Sequence, residues 1–248
     1  MTVHEILGNQ CYQRSNNMNE INASHTRTAS QVIVRQNALI RQVYAWMGAG
    51  LTITSFMALI TLSTPQLLNA IAGNRLVFYG LMIGELALVF TLSGAINRLS
   101  AMTATLLFVA YSALNGVTLS IVALIYTSNS ITSTFVITAG MFGAMSIYGY
   151  MTKRDLTSWA SFLFMGLIGV VIASIVNIFV ASSTVSWFIS GIGVIVFTGL
   201  TAYDTWKIKE LAVRGVEGRK PAILGALTLY LDFINLFLML LRFTGNRR

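Results

Sequence analysis

Three carboxylates stand inside apolar runs: Glu85 in "GLMIGELALVF", Asp204 in "LTAYDTWKI" and Asp232 in "LTLYLDFINLFLMLLRF". An ionised aspartate in the middle of a hydrocarbon-length helix costs about 2.5–3.5 kcal/mol even on translocon-insertion scales, so such residues face a bundle interior and find partners there. Asp204 comes one helical turn before Lys207, and Asp232 lies roughly 15 Å into the next run counted from the same side. If both runs are consecutive antiparallel helices, the two carboxyls meet. Two carboxyls at one site cannot both ionise cheaply and hold one proton between them, which makes a pH-responsive pair. Arg98, at the end of the run that holds Glu85, is on the same side and could pair with whichever aspartate is ionised. Glu85 itself lies near 20 Å away along its helix and belongs to a different level.

The elements that must position these groups are membrane helices. Hydrophobic residues make up 55% of the 248 and charged residues only 10%, against roughly one quarter charged in soluble domains. Apolar runs cover residues 43–63, 76–96, 102–126, 131–151, 159–180, 185–206 and 222–243, each long enough to cross a core of about 30 Å. The expected fold is therefore an all-α integral membrane protein with seven transmembrane helices. Both prolines, Pro65 and Pro221, fall in connections. Residues 1–42, rich in Asn, Ser and Thr, read as a disordered polar arm that can become helical near "QVIVRQNALIRQVY", leaving 43–248 as the membrane domain. The arm has no apolar stretch near its start and does not resemble a cleavable signal peptide.

Lys and Arg set the orientation. Of the 16 basic residues, those before span one, after span two, after span four and after span six share one side; only Arg75, Arg242, Arg247 and Arg248 lie on the other. The N-terminus is expected in the cytoplasm. The same dispersion of charge argues against nucleic acid as a partner, because no basic stripe with interleaved aromatics forms. Small residues such as Gly80, Gly84, Gly140, Gly143, Gly191, Gly193 and Gly199 are expected to form packing seams.

Other chemistries fail on inventory. His4 and His25 both lie in the polar arm and Cys11 is the sole cysteine, which leaves no histidine-zinc site, Ser-His dyad or intrachain disulfide within the spans. No phosphate-binding glycine loop occurs, so neither an enzyme nor a resident cofactor is expected. Asn115, Asn177 and Asn235 are candidate interhelical hydrogen-bonders, and Asn115 or Asn235 could add a carbonyl oxygen to an ion path with Glu85. The plain alternatives are that Asp204 pairs with Lys207 or Lys209 at a helix end, that Glu85 is a buried hydrogen-bonder, and that Arg98 only sets topology. Tyr203-Asp204 matches one half of the intramembrane aspartyl protease pattern, but Asp232 is preceded by "LYL" where glycine would be expected.

"TAYDTWKIKE" followed by "ALTLYLDFINLFLMLLRF", with "NGVTLS", "MTKRDLTSW" and "NIF", closely resembles the signature of the Bax inhibitor family of membrane proteins, including bacterial members. The resemblance spans residues 43–248. It implies a bundle with the C-terminal helix at its centre, in a bacterial cytoplasmic (inner) membrane, and a pH-dependent calcium leak. It places the shared-proton latch on Asp204 and Asp232, which are then the candidate calcium ligands, the latch arginine on Arg98 and the acidic residue of span two near Glu85. Calcium comes only from the resemblance; the residues themselves are compatible with several cations. The alternative function is a regulator that binds another membrane protein, such as a quality-control protease, through residues 1–42.

Overall fold

The computed structural model describes the backbone of residues 3–248 and the side chains of residues 31–248. Eight helices follow one another: α1 Val3–Ser63, α2 Pro65–Ala72, α3 Arg75–Ala95, α4 Ala101–Ile125, α5 Ser128–Met151, α6 Thr157–Val180, α7 Ser183–Val213 and α8 Arg219–Thr244. Seven of them are long and apolar enough to cross a membrane, α2 being the exception. The chain is an all-α integral membrane protein, and every expected apolar run is one helix.

Polar residues at the connections start the helices. Ser100, Thr127 and Ser182 accept hydrogen bonds from the backbone N–H three residues on, and Asn74 from the one two residues on, so each satisfies one of the first-turn donors that a helix leaves open. Pro65 stands at the first position of α2, where its fixed φ suits the helix and its missing N–H costs nothing.

Two boundaries differ from the sequence expectation. Residues 31–42 are helical and continuous with span one, in the stretch where the arm is expected to become helical; Leu39 is buried and Arg35 pairs with Glu217 at 2.9 Å. The expected arm otherwise falls on residues 1–30, whose side chains lie outside the described ones. The connection after span one contains α2, anchored by buried Ile71. α7 runs to Val213 instead of ending near 206, because Ile208 and Ala212, one turn apart, continue its buried face.

α8 is the axis of the bundle. Buried residues make up 72% of its span window, against 6% in α3 and 11% in α6. It packs against α7, α1, α5 and α4, and only lightly on α3, while α6 packs chiefly on α7. Tyr230, Leu227, Leu229, Leu236 and Leu241 are among its fully buried side chains. Packed against four neighbours and buried over most of its length, α8 keeps almost no lipid face. The C-terminal tail returns to the α4–α5 connection, where Thr127 N–H donates to Asn246 O at 3.1 Å and Arg248 N–H to Ile125 O at 2.9 Å.

The packing seams lie elsewhere than expected at several positions. Gly80, Gly84, Gly140 and Gly143 face open space, whereas Gly191, Gly193 and Gly199 meet Phe243, Met239 and Leu163. The tightest approaches are at Gly116, set against the Thr54 carbonyl of α1, and Gly149, set against the Ala202 carbonyl of α7. A side chain there would drive two helix backbones apart. Gly149→Val is expected to lower stability to unfolding in detergent by about 1–3 kcal/mol, while Gly143→Val, which faces open space, leaves it nearly unchanged; equal effects would show that the α5–α7 contact is not backbone-limited.

Candidate functional site

Asp204 stands nine residues before the end of α7 and Asp232 thirteen after the start of α8, about 14 and 20 Å along the two axes from the same end of the bundle. Those similar depths on packed neighbours bring the carboxyls within hydrogen-bond reach of each other. Both are buried, at 9% and 4% exposure. Asp232 Oδ2 is sealed from solvent and receives no hydrogen bond from any N–H or O–H group. Burying an acceptor without a donor costs about 1–3 kcal/mol, and more when it is charged. A proton carried between the two carboxyls would remove that cost, since a protonated carboxyl is a donor.

The pair lines a cleft of about 970 Å³ between α3 and α6, with α7 and α8 as its floor. Its walls are mostly apolar: Phe164, Met165 and Ile168 of α6, Leu200 of α7, and Leu224 and Leu231 of α8. Asn235, one turn beyond Asp232, lies in the same cleft; its Nδ2 donates to Leu231 O of its own helix at 2.8 Å, so it is not an interhelical bond. Asn177, another candidate, instead accepts from Ser182 N–H at 3.2 Å and closes the α6–α7 turn.

Arg98 does not join the pair. It is exposed, its side chain makes no hydrogen bond or ion pair among the described residues, and it lines neither cavity that touches Asp204. The turn after α3 ends against Ile96, and the next helix begins at Ala101, which leaves Arg98 in solvent beyond the bundle end. Lys207 is the basic residue that lines the cleft beside the pair. One turn after Asp204, it lines both that cleft and a second cavity of about 360 Å³ on the other side of Asp204. Its ammonium sits 5.8 Å from the centre of the Tyr203 ring rather than on a carboxylate. The plain helix-end pairing of Asp204 is not formed by Lys209 either, because Lys209 Nζ donates to the Tyr150 and Thr152 carbonyls at 3.1 and 2.8 Å and closes the end of α5.

Glu85 is in a separate cluster. Thr118 Oγ1 donates to its Oε1 at 2.6 Å and Asn115 Nδ2 to its Oε2 at 3.4 Å. Asn115 Oδ1 accepts from the hydroxyl of Tyr230 at 3.2 Å, and that hydroxyl lies 2.6 Å from Thr54 Oγ1. With the phenol proton on Asn115, the Thr54 hydroxyl is the donor of the short contact, and the carbonyls of Gly50 and Ser112 lie at 2.9 and 2.8 Å from the same Oγ1. The network joins α1, α3, α4 and α8. Glu85 and Asn115 are thus both committed to structural hydrogen bonds, and the ion-path expectation for them is not what their geometry provides. Thr118, Tyr230 and Thr54 were not singled out from the sequence; the phenol in the run "LTLYLDF" was the signal, since a buried tyrosine hydroxyl requires a partner.

Tyr230 and Asp232, two residues apart, project from opposite faces of α8. One side of the central helix is held by the tyrosine network and the other carries the carboxyl pair. Among the described residues no group of three or more His, Cys, Asp or Glu could hold a metal ion, so the aspartates form a pair without a third acidic ligand.

A multi-pass helical bundle with a carboxyl pair beside its buried central helix is the class that fold and site define. Residues 36–248 match the family model described as "Inhibitor of apoptosis-promoting Bax1", and the chain belongs to that family. It is 55% identical over 212 residues to the inner membrane protein YbhL of Escherichia coli strain K12, covering 84% of this chain and 91% of that one. It is also 46% identical over 222 residues to an uncharacterized protein of Borreliella burgdorferi, covering 88% and 96%. An uncharacterized membrane protein of Streptococcus pyogenes serotype M6 is 40% identical over 221 residues, again covering 88% and 96%.

If the tyrosine network holds α8, Tyr230→Phe should lower stability to unfolding in detergent by about 1–3 kcal/mol, because it strands the Asn115 acceptor while keeping the ring. An unchanged unfolding midpoint would show that the ring packing against Phe108 and Tyr111 carries the contact alone.

Proposed function

We propose that the chain is a pH-sensitive calcium leak channel of a bacterial cytoplasmic membrane, with its N-terminus in the cytoplasm, gated by a proton shared between Asp204 and Asp232. The observation that carries this reading is the pair itself: two buried carboxyls within hydrogen-bond reach, one with a sealed oxygen that no protein donor serves, at the floor of a cleft. With the proton in place the pair is a single charge that ties α7 to α8. Losing it leaves two like charges in contact, and their repulsion favours separation of the two helices.

Carboxylate and carbonyl oxygens are the ligands that Ca²⁺ prefers, and a two-carboxylate site binds weakly enough to release the ion again. Asn235 adds a carbonyl oxygen one turn further on, in the same cleft. The cavity at the far end of α8, about 290 Å³ and lined by Leu238 and Arg242, is separate from that cleft. Passage therefore needs a movement along α8, which a switch at the pair is placed to trigger. The membrane assignment draws on the name of the Escherichia coli relative, and the cytoplasmic N-terminus on the distribution of Lys and Arg.

Purified protein in proteoliposomes loaded with a calcium indicator should leak Ca²⁺ at a rate that varies with pH. In Asp204→Asn/Asp232→Asn that variation should vanish, leaving one rate at every pH. Flux of the double variant that keeps the wild-type level and the wild-type pH profile would sink the gating role.

A further inference from the structure

The cleft has two features that ion passage does not use: an apolar side opening and a floor made of acceptors. α3 and α6 flank it without packing on each other, and they are the spans with the least buried surface. Phe164, Met165 and Ile168 line the cleft and remain 62%, 69% and 50% exposed, so the opening faces the bilayer sideways. A hydrated ion has no use for such a wall. The floor offers the Asp204 and Asp232 carboxyls, and the Oδ2 of Asp232 has no N–H or O–H donor among the described residues. Beside them Asn235 spends an N–H on Leu231 O, and Thr228 gives its only hydroxyl proton to Leu224 O at 3.0 Å, which leaves both with their oxygens free. Lys207, the Tyr203 phenol, the second N–H of Asn235 and the hydroxyls of Ser93 and Ser161 are the donors of the lining, while the two carboxyls and the oxygens of Asn235 and Thr228 give its floor an excess of acceptors and its only negative charge.

We propose that this cleft is a binding site for a single-chain amphiphile with a primary ammonium head, entering from the bilayer between α3 and α6. The ammonium supplies three donors and a positive charge to a floor of buried acceptors that bears at least one negative charge when the pair holds one proton. The chain lies along the α6 wall, where it exchanges lipid for side chains at little cost. Lys207 is the cation that faces the floor from α7; it lies over the Tyr203 ring at the mouth, and it competes with the amine electrostatically. α3 brings only Ser93 to the cleft and α6 no charged group, while α8 brings Asp232. An occupant here would sit against the carboxyl pair from the membrane side, so it could hold α7 and α8 in place. The site does not depend on the transported ion being calcium.

The test is binding, not flux, so a protein that carries no calcium can still pass it and a leaking one can still fail. Nitroxide-labelled dodecylamine is titrated into the full chain in phosphatidylcholine nanodiscs, and the immobilised fraction of its spin signal is read. The amine should bind roughly tenfold or more tightly than the equally labelled dodecanol, and Asp232→Asn should weaken it by a similar factor, as expected for a charge-assisted hydrogen bond. Lys207→Gln should tighten binding. Ile168→Trp, at a half-exposed wall position that cannot upset the core, should abolish the immobilised signal while helical content stays the same. Equal binding of the amine and the alcohol, amine binding unchanged in Asp232→Asn, or an immobilised signal that survives Ile168→Trp would each overturn the proposal.

Discussion

A carboxyl oxygen that no donor serves, inside a bundle of membrane helices, is the constraint around which this structure is arranged. Asp232 can be tolerated at its depth only with a proton, a cation or another donor in reach. The neighbouring helix supplies Asp204 and no basic group in contact with either carboxyl. That choice of partner makes the contact conditional. An arginine would have made a permanent ion pair, whereas a second carboxyl makes an attraction that exists only while a proton is shared.

The surroundings of α8 fit a helix that is fixed on one side and conditional on the other. Tyr230 ties it to α1 and α4 and, through Asn115, to Glu85 of α3, with the Phe108 and Tyr111 rings packed edge-on around the phenol. The opposite face meets α7 through Asp232 and opens on the cleft beside α6. Gly116 and Gly149 bring α4 onto α1 and α5 onto α7 at backbone distance, so the outer helices form a frame within which α8 and α7 meet. The calcium reading and the amphiphile site both rest on the conditional face, but they call on different features of it, the paired charge in one case and the open apolar wall in the other.

Much of this was legible in the sequence because membrane helices announce themselves by length and because charges are rare among them. The seven spans, the meeting of Asp204 with Asp232, and the separate level of Glu85 follow from counting residues along helices of known rise. The central place of α8 was carried by the family resemblance, and its polar residues on two opposite faces, Tyr230 and Asp232, need the protein partners that a central place supplies. What sequence could not give is side-chain direction. Arg98 has the right depth to reach the pair but sits beyond the end of α3, and Lys207, read as a helix-end charge, lines the cleft. The glycine seams went astray for a related reason: spacing shows which glycines share a face, while only the packing shows which face meets a backbone, and Gly140 and Gly143 meet none. Tyr230, Thr54 and Thr118 escaped because hydroxyls on three different helices leave no pattern in any one of them.

A proton held between Asp204 and Asp232 is read directly by infrared difference spectroscopy of the protein in lipid. Sharing predicts a protonated-carboxyl stretching band equivalent to one proton per chain, shifted in deuterium oxide and altered by either Asp204→Asn or Asp232→Asn. A spectrum without that band, or a band that both substitutions leave untouched, would contradict it.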